Sequence, residues 1–500
     1  MMEHLDVVIV GAGLSGIGAA VHLQKAVPHK RYAILEARRA SGGTWDLFRY
    51  PGIRSDSDMY TLGYSFRPWP GAKAIADGPS ILDYIRDTAR DEGVDKHIRY
   101  DSRVVRAEWS SPDARWTLTL QHAKGTSQLT CGFLFMCSGY YRYDEGYTPA
   151  FPGLEQYAGH VVHPQHWPED LDYAGKRVVV IGSGATAVTL VPAMADTAEH
   201  VTMLQRTPTY IASRPAVDKV ADFLRAKLPA KIAYTILRWK NVLLTMLSYQ
   251  VSVRRPALMK ALVRKGLEKE LPGFDIATHF SPPYNPWDQR FCIVPDGDLF
   301  QSMRDGKASV VTGAIETFTE KGIRLTDGEE LAADVVVTAT GLQMLVFGGV
   351  QFVVDGEEKK ISETVGYKGM MLSGIPNMAV SVGYTNASWT LKCDLICAYV
   401  GDLLAHMDRI GVDQVTPRWT AAELPDTPFL NLTSGYILRS MHEFPRQGDA
   451  LPWRVHQNYI LDRKLFRPGP AAFDGLEFTC AGPRRSAEGR RATPSEVGNG

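Results

Sequence analysis

The sequence lacks several features that define common classes of protein. Its 55 basic and 55 acidic side chains leave no net charge, so no overall field attracts nucleic acid. The 6 cysteines have neither the spacing of a disulfide framework nor that of a zinc site. We therefore expect a reduced, intracellular protein that binds neither a metal ion nor nucleic acid.

Signals for export or membrane insertion are also missing. Met1–Asp6 carries no basic segment and continues into a predicted strand, so we expect no signal peptide and a cytoplasmic location. The run Val178–Ala195 has no charged residue and reaches the roughly 18 residues that a membrane span needs. It also contains Gly182, Gly184 and Pro192, and a strand, a turn and a helix account for all of it. We therefore predict no membrane span.

Two glycine-rich turns are present, each between an apolar strand and a predicted helix. The first follows Val7–Val10 and precedes a helix predicted for Leu14–Ala26, and the second follows Val178–Ile181. Such a turn places a pyrophosphate against unpaired backbone N–H groups at a helix N-terminus. One turn is weak support, but two predict two nucleotide cofactors within electron-transfer distance. The turn residues are Gly11, Gly13, Ser15 and Gly16 in the first and Gly182, Ser183, Gly184, Ala185, Thr186 and Ala187 in the second.

The residues that follow the next strand of each unit distinguish the two nucleotides. Glu36 follows the strand Tyr32–Leu35, 20 residues after the last glycine of the first turn. A carboxylate there accepts both ribose hydroxyls and disfavours a 2′-phosphate, which predicts FAD or NAD. In the second unit Arg206 and Thr207 follow the strand Val201–Leu204 without an acid, which favours NADP(H). The alternatives are a solvated glutamate and a surface arginine.

Two further apolar segments predict how the domains are connected. Phe133–Gly139 and Asp334–Gly341 both end in a small residue and glycine, and we interpret both as strands of the first domain. The fold class is thus α/β, with two Rossmann-like dinucleotide-binding domains, the second inserted in the first, and a helical insertion. The predicted limits are 1–145 and 332–480 for the FAD domain, 146–215 and 275–331 for the NADP domain, 216–274 for the helical insertion and 481–500 for a disordered tail.

The composition changes within the predicted insertion. Residues 223–266 contain ten Lys or Arg and no Asp or Glu, interleaved with apolar side chains, which predicts basic amphipathic helices. Three interpretations remain open. The segment contacts a membrane surface, covers an apolar substrate tunnel, or packs on the NADP domain with a basic face toward solvent.

Two groups of residues form spaced motifs outside the glycine turns. Gly43, Trp45, Tyr50-Pro51-Gly52 and Asp56 follow the first ribose strand, and Tyr157, Gly159, His163 and Trp167 precede the second nucleotide unit. Taken alone, the first group is a loop with a buried aromatic side chain, and His163 is a structural histidine. Taken together, the two groups resemble the signatures of type I Baeyer–Villiger monooxygenases, in which Phe is usual at the position of Tyr157. The resemblance extends to about residue 470. Three runs, 45–56, 285–290 and 383–390, are similar to the branch of that family that activates thioamide prodrugs.

The resemblance implies a flavoprotein monooxygenase that uses FAD, NADPH and O2. In this family NADPH reduces the flavin, which then adds O2 at C4a. The peroxide oxidises a ketone to an ester or lactone, or transfers oxygen to the sulfur of a thioamide or sulfide. The resemblance places Ser15, Glu36, Thr44, Trp45, Asp46, Leu47, Asp56 and Val104 at FAD, Arg54, Ser55 and Asp56 at the nicotinamide, and Ser183, Gly184, Ala185, Thr186, Ala187, Val188, Thr189, Arg206 and Thr207 at NADP.

Arg290 matches the family's active-site arginine, and Asp56 is placed to pair with it. A fixed positive charge there stabilises the oxidant and the oxyanion that develops on the substrate. Many relatives carry Lys just before this arginine, whereas this chain has Gln289, so the preference for NADPH depends more heavily on Arg206. A surface arginine is the alternative for Arg290.

Three other functions compete with this one. A flavoprotein disulfide reductase needs a Cys-x2-Cys or Cys-x4-Cys pair, and the cysteine spacings here differ. A heteroatom-oxidising flavin monooxygenase without ketone activity differs only in substrates, and a flavin-binding sensor would lack turnover. Aromatic and apolar residues near Tyr384, Trp389, Leu391, Met370 and Met371 are typical of an apolar substrate pocket or of plain core. The sequence leaves the oligomeric state open.

Overall fold

The computed structural model describes residues 2–289, 291–430 and 433–481, together with the backbone but not the side chains of 470 and 471. Arg290 and all but the first residue of the predicted disordered tail therefore lie outside the described residues. The helices are α1 (Leu14–Ala26), α2 (Thr44–Leu47), α3 (Met59–Leu62), α4 (Gly78–Asp91), α5 (Ala185–Ala195), α6 (Lys219–Lys227), α7 (Ala230–Arg254), α8 (Pro256–Glu270), α9 (Ile276–His279), α10 (Asp298–Arg304), α11 (Trp389–Ile410), α12 (Gly435–Ser440) and α13 (Tyr459–Leu465).

The strands form two main sheets and several short ribbons. They are β1 (His4–Val10), β2 (Tyr32–Leu35), β3 (Ile98–Arg99), β4 (Arg103–Ser110), β5 (Arg115–His122), β6 (Gly125–Met136), β7 (Tyr141–Gly146), β8 (His160–Val162), β9 (Arg177–Ile181), β10 (His200–Gln205), β11 (Ile211–Arg214), β12 (Cys292–Pro295), β13 (Ala308–Thr312), β14 (Ile315–Thr319), β15 (Gly322–Leu325), β16 (Glu330–Ala332), β17 (Val335–Thr338), β18 (Leu342–Met344), β19 (Gln351–Val354), β20 (Glu357–Lys359), β21 (Gly366–Tyr367), β22 (Met371–Leu372), β23 (Met378–Val380), β24 (Gln414–Pro417) and β25 (Leu476–Thr479).

The larger sheet contains the first glycine turn. Its strand order is β20-β19-β4-β5-β6-β1-β2-β3, with β23 paired to β6. Strand β1 lies between β2 and β6 and is parallel to both. The pairing with β2 is parallel because α1 connects the two strands across one face of the sheet. Helix α1 packs against α11 so closely that a Cβ on Gly401 would lie 2.6 Å from the Cβ of Ala26. The predicted strand, turn and helix at residues 7–26 are confirmed.

The second sheet is parallel throughout, in the order β13-β10-β9-β17-β8. It contains the second glycine turn, between β9 and α5, as predicted. The assignment of Asp334–Gly341 to the first domain is wrong, because β17 pairs with β9 and β8. The carbonyl of Ala339 lies beside Gly182 just as that of Cys137 lies beside Gly11. The two segments look alike because each passes the glycine turn of its own sheet, and an apolar run does not reveal which sheet it joins.

The predicted fold class is confirmed: α/β with two dinucleotide-binding units and a helical insertion. The insertion consists of α6, α7 and α8, and α7 packs on both α3 and α8. Apart from the strand corrected above, the predicted domain limits stay a prediction. No helix in the described part of the chain combines the length and hydropathy that crossing a membrane requires.

Candidate functional site

A cavity of about 430 Å³, here called the dinucleotide cavity, lies along the first glycine turn. It brings together residues that are far apart in the sequence, from β1, the ends of β2 and β6, α2 and the start of α11. The residues predicted from the sequence that line it are Gly11, Gly13, Ser15, Glu36, Thr44, Trp45, Ser55, Asp56 and Val104. Gly16, Asp46, Leu47 and Arg54 do not line it.

The glycines of the first turn are required by close backbone contacts. Gly11 has φ +105°, and a Cβ on it would lie 2.6 Å from the carbonyl oxygen of Cys137. A Cβ on Gly16 would lie 1.8 Å from the carbonyl oxygen of Gly11, so this glycine lets α1 approach β1. A Cβ on Gly13 would lie 3.4 Å from the Cα of Gly43. Two bare backbone segments therefore face each other at the cavity wall, which leaves room for a diphosphate.

Glu36 is a buried carboxylate at the end of β2 that the backbone holds in place. Its two oxygens accept N–H groups from Ala12 at 2.7 Å and from Arg38 at 2.9 Å. Burial raises the pKa of Glu36, and the two N–H donors partly oppose that rise. The carboxylate is thus oriented to accept ribose hydroxyls, as the sequence predicts.

Several aromatic side chains line this cavity, and the sequence indicates Trp389 but not all of the others. The indole Nε1–H of Trp389 donates to the Ser15 hydroxyl at 2.8 Å, which joins α11 to the glycine turn. Tyr384 also lines the cavity, whereas Met370 and Met371 are fully buried core. Tyr140, Tyr141 and Tyr143 line it as well. Their only signal in the sequence is their position directly after a strand that ends in Ser-Gly.

Two of the predicted residues outside the cavity have structural partners. Asp46 is 2% exposed and accepts from Arg38 at 2.7 Å and Arg86 at 2.7 Å. The Arg54 guanidinium donates to both carboxylate oxygens of Asp298 in α10 and to the carbonyl oxygen of Val188 in α5. Arg54 therefore connects the first dinucleotide unit to the second.

Residues of the second glycine turn, after β9, are hydrogen-bonded to residues that follow β10. The Ser183 hydroxyl donates to the carbonyl of Thr207 at 3.0 Å and lies 2.8 Å from the Thr209 hydroxyl oxygen. Arg206 is exposed beside them. A Cβ on Gly184 would have no atom within 4 Å, so the turn is open where a nucleotide would lie. Ala187 and Val188, in contrast, are buried core.

The Tyr-Pro-Gly motif packs on this second unit. The Tyr50 hydroxyl lies near the Thr186 side chain, and burial raises the pKa of Tyr50 to about 12. A Cβ on Gly52 would lie 2.6 Å from the Cβ of Ala193 and 3.0 Å from the carbonyl of Thr189. The motif therefore fixes the first unit against α5, and Thr186 and Thr189 are partly used in that contact.

His163 has a structural environment at the connection between the two units. Its Nδ1 accepts the backbone N–H of Gln165, and its Nε2–H donates to the carbonyl of Gly341, both at 3.1 Å. Burial lowers the pKa of His163. A Cβ on Gly146 would lie 1.9 Å from the imidazole ring. The neutral ring therefore ties β8 to the β7–β18 ribbon, and this agrees with the structural interpretation.

A second cavity, of about 670 Å³ and here called the adjoining cavity, meets the first at Asp56, Ser57 and Ala387. Its apolar wall comes mainly from α8 and the segment around β12, and α7 adds one leucine. The apolar side chains are Ile211, Leu244, Met259, Leu262, Val263, Leu267, Trp287, Phe291, Ile293 and Phe300. The insertion helices thus cover a mostly apolar space beside the dinucleotide cavity.

Several charged residues line the adjoining cavity, among them Asp58, Arg214, and Lys269 and Glu270 of α8. Asp58 caps α3 by accepting the N–H of Thr61 at 3.1 Å. Burial raises the pKa of Asp58, while Thr61, Arg214 and Arg238 oppose that rise. Arg214, at the end of β11, lines the cavity and was missed, since a lone arginine in a short strand carries no motif. Arg290 lies outside the described residues, so its predicted pairing with Asp56 stays a prediction.

The described residues at these sites fit two bound nucleotides. They do not include the cysteine pair that a disulfide reductase needs. Bare glycine backbone, a fixed buried carboxylate and aromatic walls fit a flavin dinucleotide, and Ser183, Thr207 and Arg206 fit a second, phosphorylated one. All six cysteines are free. No group of residues that could hold a metal ion occurs in the described part of the chain.

Comparison with known proteins agrees with this geometry. Residues 74–362 match the flavin-binding monooxygenase-like family, and residues 9–75 match the NAD(P)-binding Rossmann-like domain. FAD-containing monooxygenase EthA of Mycobacterium tuberculosis is 56% identical over 480 residues, which cover 96% of this chain and 98% of that protein.

Two solved structures are similar in fold. A steroid monooxygenase with bound NADP has a TM-score of 0.76 at 23% identity and covers 95% of this chain and 100% of its own. OTEMO in complex with FAD and NADP has a TM-score of 0.73 at 21% identity and covers 95% of this chain and 99% of its own.

Proposed function

This chain belongs to the flavin-binding monooxygenase-like family, and we propose that it carries out Baeyer–Villiger oxidation of apolar ketones and S-oxygenation of thioamides and sulfides. It is a flavoprotein monooxygenase that contains FAD and uses NADP(H), and the predicted resemblance is confirmed. One oxygen atom of O2 enters the product and the other leaves as water, with NADPH as the source of two electrons.

The two nucleotides have separate binding residues. The first glycine turn, Glu36, Thr44 and Trp45 would hold FAD in the dinucleotide cavity, and Ser183, Arg206 and Thr207 would hold NADPH at the second turn. When bound, FAD accepts a hydride from NADPH and activates O2 for transfer to the substrate. The protein contributes orientation and the exclusion of water.

The observation that carries the proposal is the junction of the two cavities. Asp56 lines both of them, together with Ser57 and Ala387. A substrate in the apolar adjoining cavity would therefore lie directly beside the cofactor. The resemblance gives Asp56 the role of orienting a charged partner. By resemblance that partner is Arg290, which would stabilise the developing oxyanion.

The substrate range is tested with purified holoenzyme, NADPH and O2. The panel contains linear, cyclic and aryl ketones, a thioamide and a dialkyl sulfide, with products identified by mass analysis. We expect esters or lactones from ketones and S-oxides from the sulfur compounds. Sulfur oxidation without any ester would reduce the function to heteroatom oxidation. NADPH oxidation without any oxygenated product would overturn the proposal.

The roles of Arg290 and Asp56 are tested by Arg290→Ala and Asp56→Asn. Both variants should keep FAD bound and reducible by NADPH, while product formation falls by about a hundredfold or more, the usual loss for one oxyanion donor. Arg324→Ala, at an exposed ion pair with Glu316, is the control and should behave as wild type. Normal ketone oxidation by Arg290→Ala would refute the assignment.

A further inference from the structure

Exposed apolar side chains are concentrated on the insertion helices. Of the 19 large apolar residues that are exposed in the described chain, 11 lie between residues 217 and 262. They are Val217, Val220, Phe223, Ile232, Ile236, Leu243, Leu244, Leu247, Val253, Leu258 and Leu262. Scattered exposed apolar residues are ordinary, but a concentration on one element marks an interaction surface.

On α7 four of these side chains form one stripe. At 100° per residue, Ile232, Ile236, Leu243 and Leu247 fall within about 60° of one another around the helix. The opposite side of α7 holds Tyr234, Arg238 and Asn241, which are buried against the rest of the protein. Helix α8 adds Leu258 and Leu262, one turn apart. We call the exposed side of α7 and α8 the α7–α8 surface.

The charge of this segment has one sign. Residues 223–266 carry ten basic and no acidic side chains. Arg238, Lys240 and Arg264 pair with carboxylates elsewhere in the sequence. Six others form no ion pair with any described residue: Lys227, Lys231, Arg254, Arg255, Lys260 and Lys265. Apolar side chains and uncompensated cations on the same helices are typical of elements that bind anionic lipid surfaces.

We propose that the α7–α8 surface docks on the surface of an anionic lipid bilayer. The apolar stripe would enter the boundary between headgroups and acyl chains, and the lysines and arginines would contact anionic headgroups. A second copy of the chain is a poorer occupant, because a twofold contact would place two sets of uncompensated cations opposite each other.

The α7–α8 surface lies beside the adjoining cavity, so docking on a bilayer would bring the cavity close to the membrane. Leu244 and Leu262 line the adjoining cavity and are also 50% and 53% exposed. The cavity therefore lies directly beside the proposed contact. Given the proposed function, an apolar substrate dissolved in the bilayer would enter the adjoining cavity without crossing water.

The test measures sedimentation of the FAD-bound enzyme with vesicles of phosphatidylcholine alone or with 30% phosphatidylglycerol. We expect binding to the anionic vesicles that is at least about tenfold stronger and weakens with salt. The triple variant Ile236→Ser, Leu243→Ser, Leu247→Ser avoids the cavity lining and should lose at least about tenfold of that binding. Its matched control is Leu424→Ser, Leu438→Ser, Leu461→Ser, whose three leucines are exposed elsewhere and which should bind as wild type.

The outcomes separate docking from the proposed function. Oxidation of a water-soluble thioamide without vesicles should be unchanged in both triple variants, so a failed substrate panel would leave the sedimentation result standing. No binding by the wild type, or equal binding by the two triple variants, would overturn the docking proposal. Self-association that only the α7 variant abolishes, without vesicle binding, would identify a second copy as the partner and also overturn it.

Discussion

At the scale of single residues, a buried lysine and a buried aspartate compensate each other in the interior of the protein. Lys392 of α11 is fully buried, and its Nζ lies 3.6 Å from Oδ2 of Asp462 in α13. The hydroxyl of Tyr384, a side chain that lines the dinucleotide cavity, donates to the same oxygen at 2.7 Å. Burial lowers the pKa of Lys392 and raises that of Asp462. One carboxylate therefore holds both the ammonium group and the tyrosine.

Removal of that carboxylate should destabilise the protein strongly. In Asp462→Leu the Lys392 ammonium is buried without a counter-ion, so we expect a loss of about 3–5 kcal/mol in the free energy of unfolding. The double variant Lys392→Met, Asp462→Leu should recover most of that loss, since no charge remains to be buried. Urea unfolding of the holoenzymes measures both. Equal destabilisation in the single and double variants would mean that packing and the tyrosine hydrogen bond, rather than charge, dominate.

At the scale of elements, one buried arginine fastens the helical insertion to the first dinucleotide unit. Arg238 of α7 donates to the carbonyls of Tyr60 at 3.0 Å and Gly63 at 2.7 Å, at the C-terminal end of α3. It also donates to Asp394 of α11 at 3.0 Å. The basic composition of the insertion thus includes one structural cation, which composition alone does not separate from the exposed ones.

Arg238→Met should therefore weaken the attachment of the helical insertion to the first dinucleotide unit. The variant leaves Asp394 buried without this partner and removes the donor to the carbonyls of Tyr60, Thr61 and Gly63, and we expect a loss of about 3–5 kcal/mol. Arg264→Met, which breaks an exposed pair with Glu268, should cost less than about 1 kcal/mol. Thermal unfolding and the rate of proteolysis within α7 measure the difference. Similar effects of the two substitutions would contradict the anchoring role.

At the scale of the whole molecule, two similar glycine turns belong to two different sheets and face different surroundings. Gly182 has φ +134°, and a Cβ on it would lie 2.4 Å from the carbonyl of Ala339. Gly184 has φ −80° and open space beside it. The same turn therefore contains one glycine that the fold requires and another whose small size serves the nucleotide.

Gly184→Val should weaken the binding of NADPH and leave the binding of FAD unchanged. Its backbone conformation is accessible to valine, so FAD content and thermal stability should match wild type. The added side chain would occupy the space beside the pyrophosphate, and we expect the KM for NADPH to rise by about tenfold or more. As a contrast, Gly182→Ala should lower thermal stability, because it combines a positive φ with a backbone clash. An unchanged KM in Gly184→Val would place the nucleotide elsewhere.

The sequence by itself determined the two glycine turns, the strands and helices around them and the position of Glu36, because each depends on a few consecutive residues. It also indicated the family, since the motifs keep fixed spacings. Only the tertiary structure decided that Val335–Thr338 joins the second sheet, that Arg54 bridges to Asp298, and that the two cavities meet at Asp56. These features depend on contacts between residues tens to hundreds of positions apart. Local patterns of hydrophobicity and turn residues do not predict which distant residues come into contact.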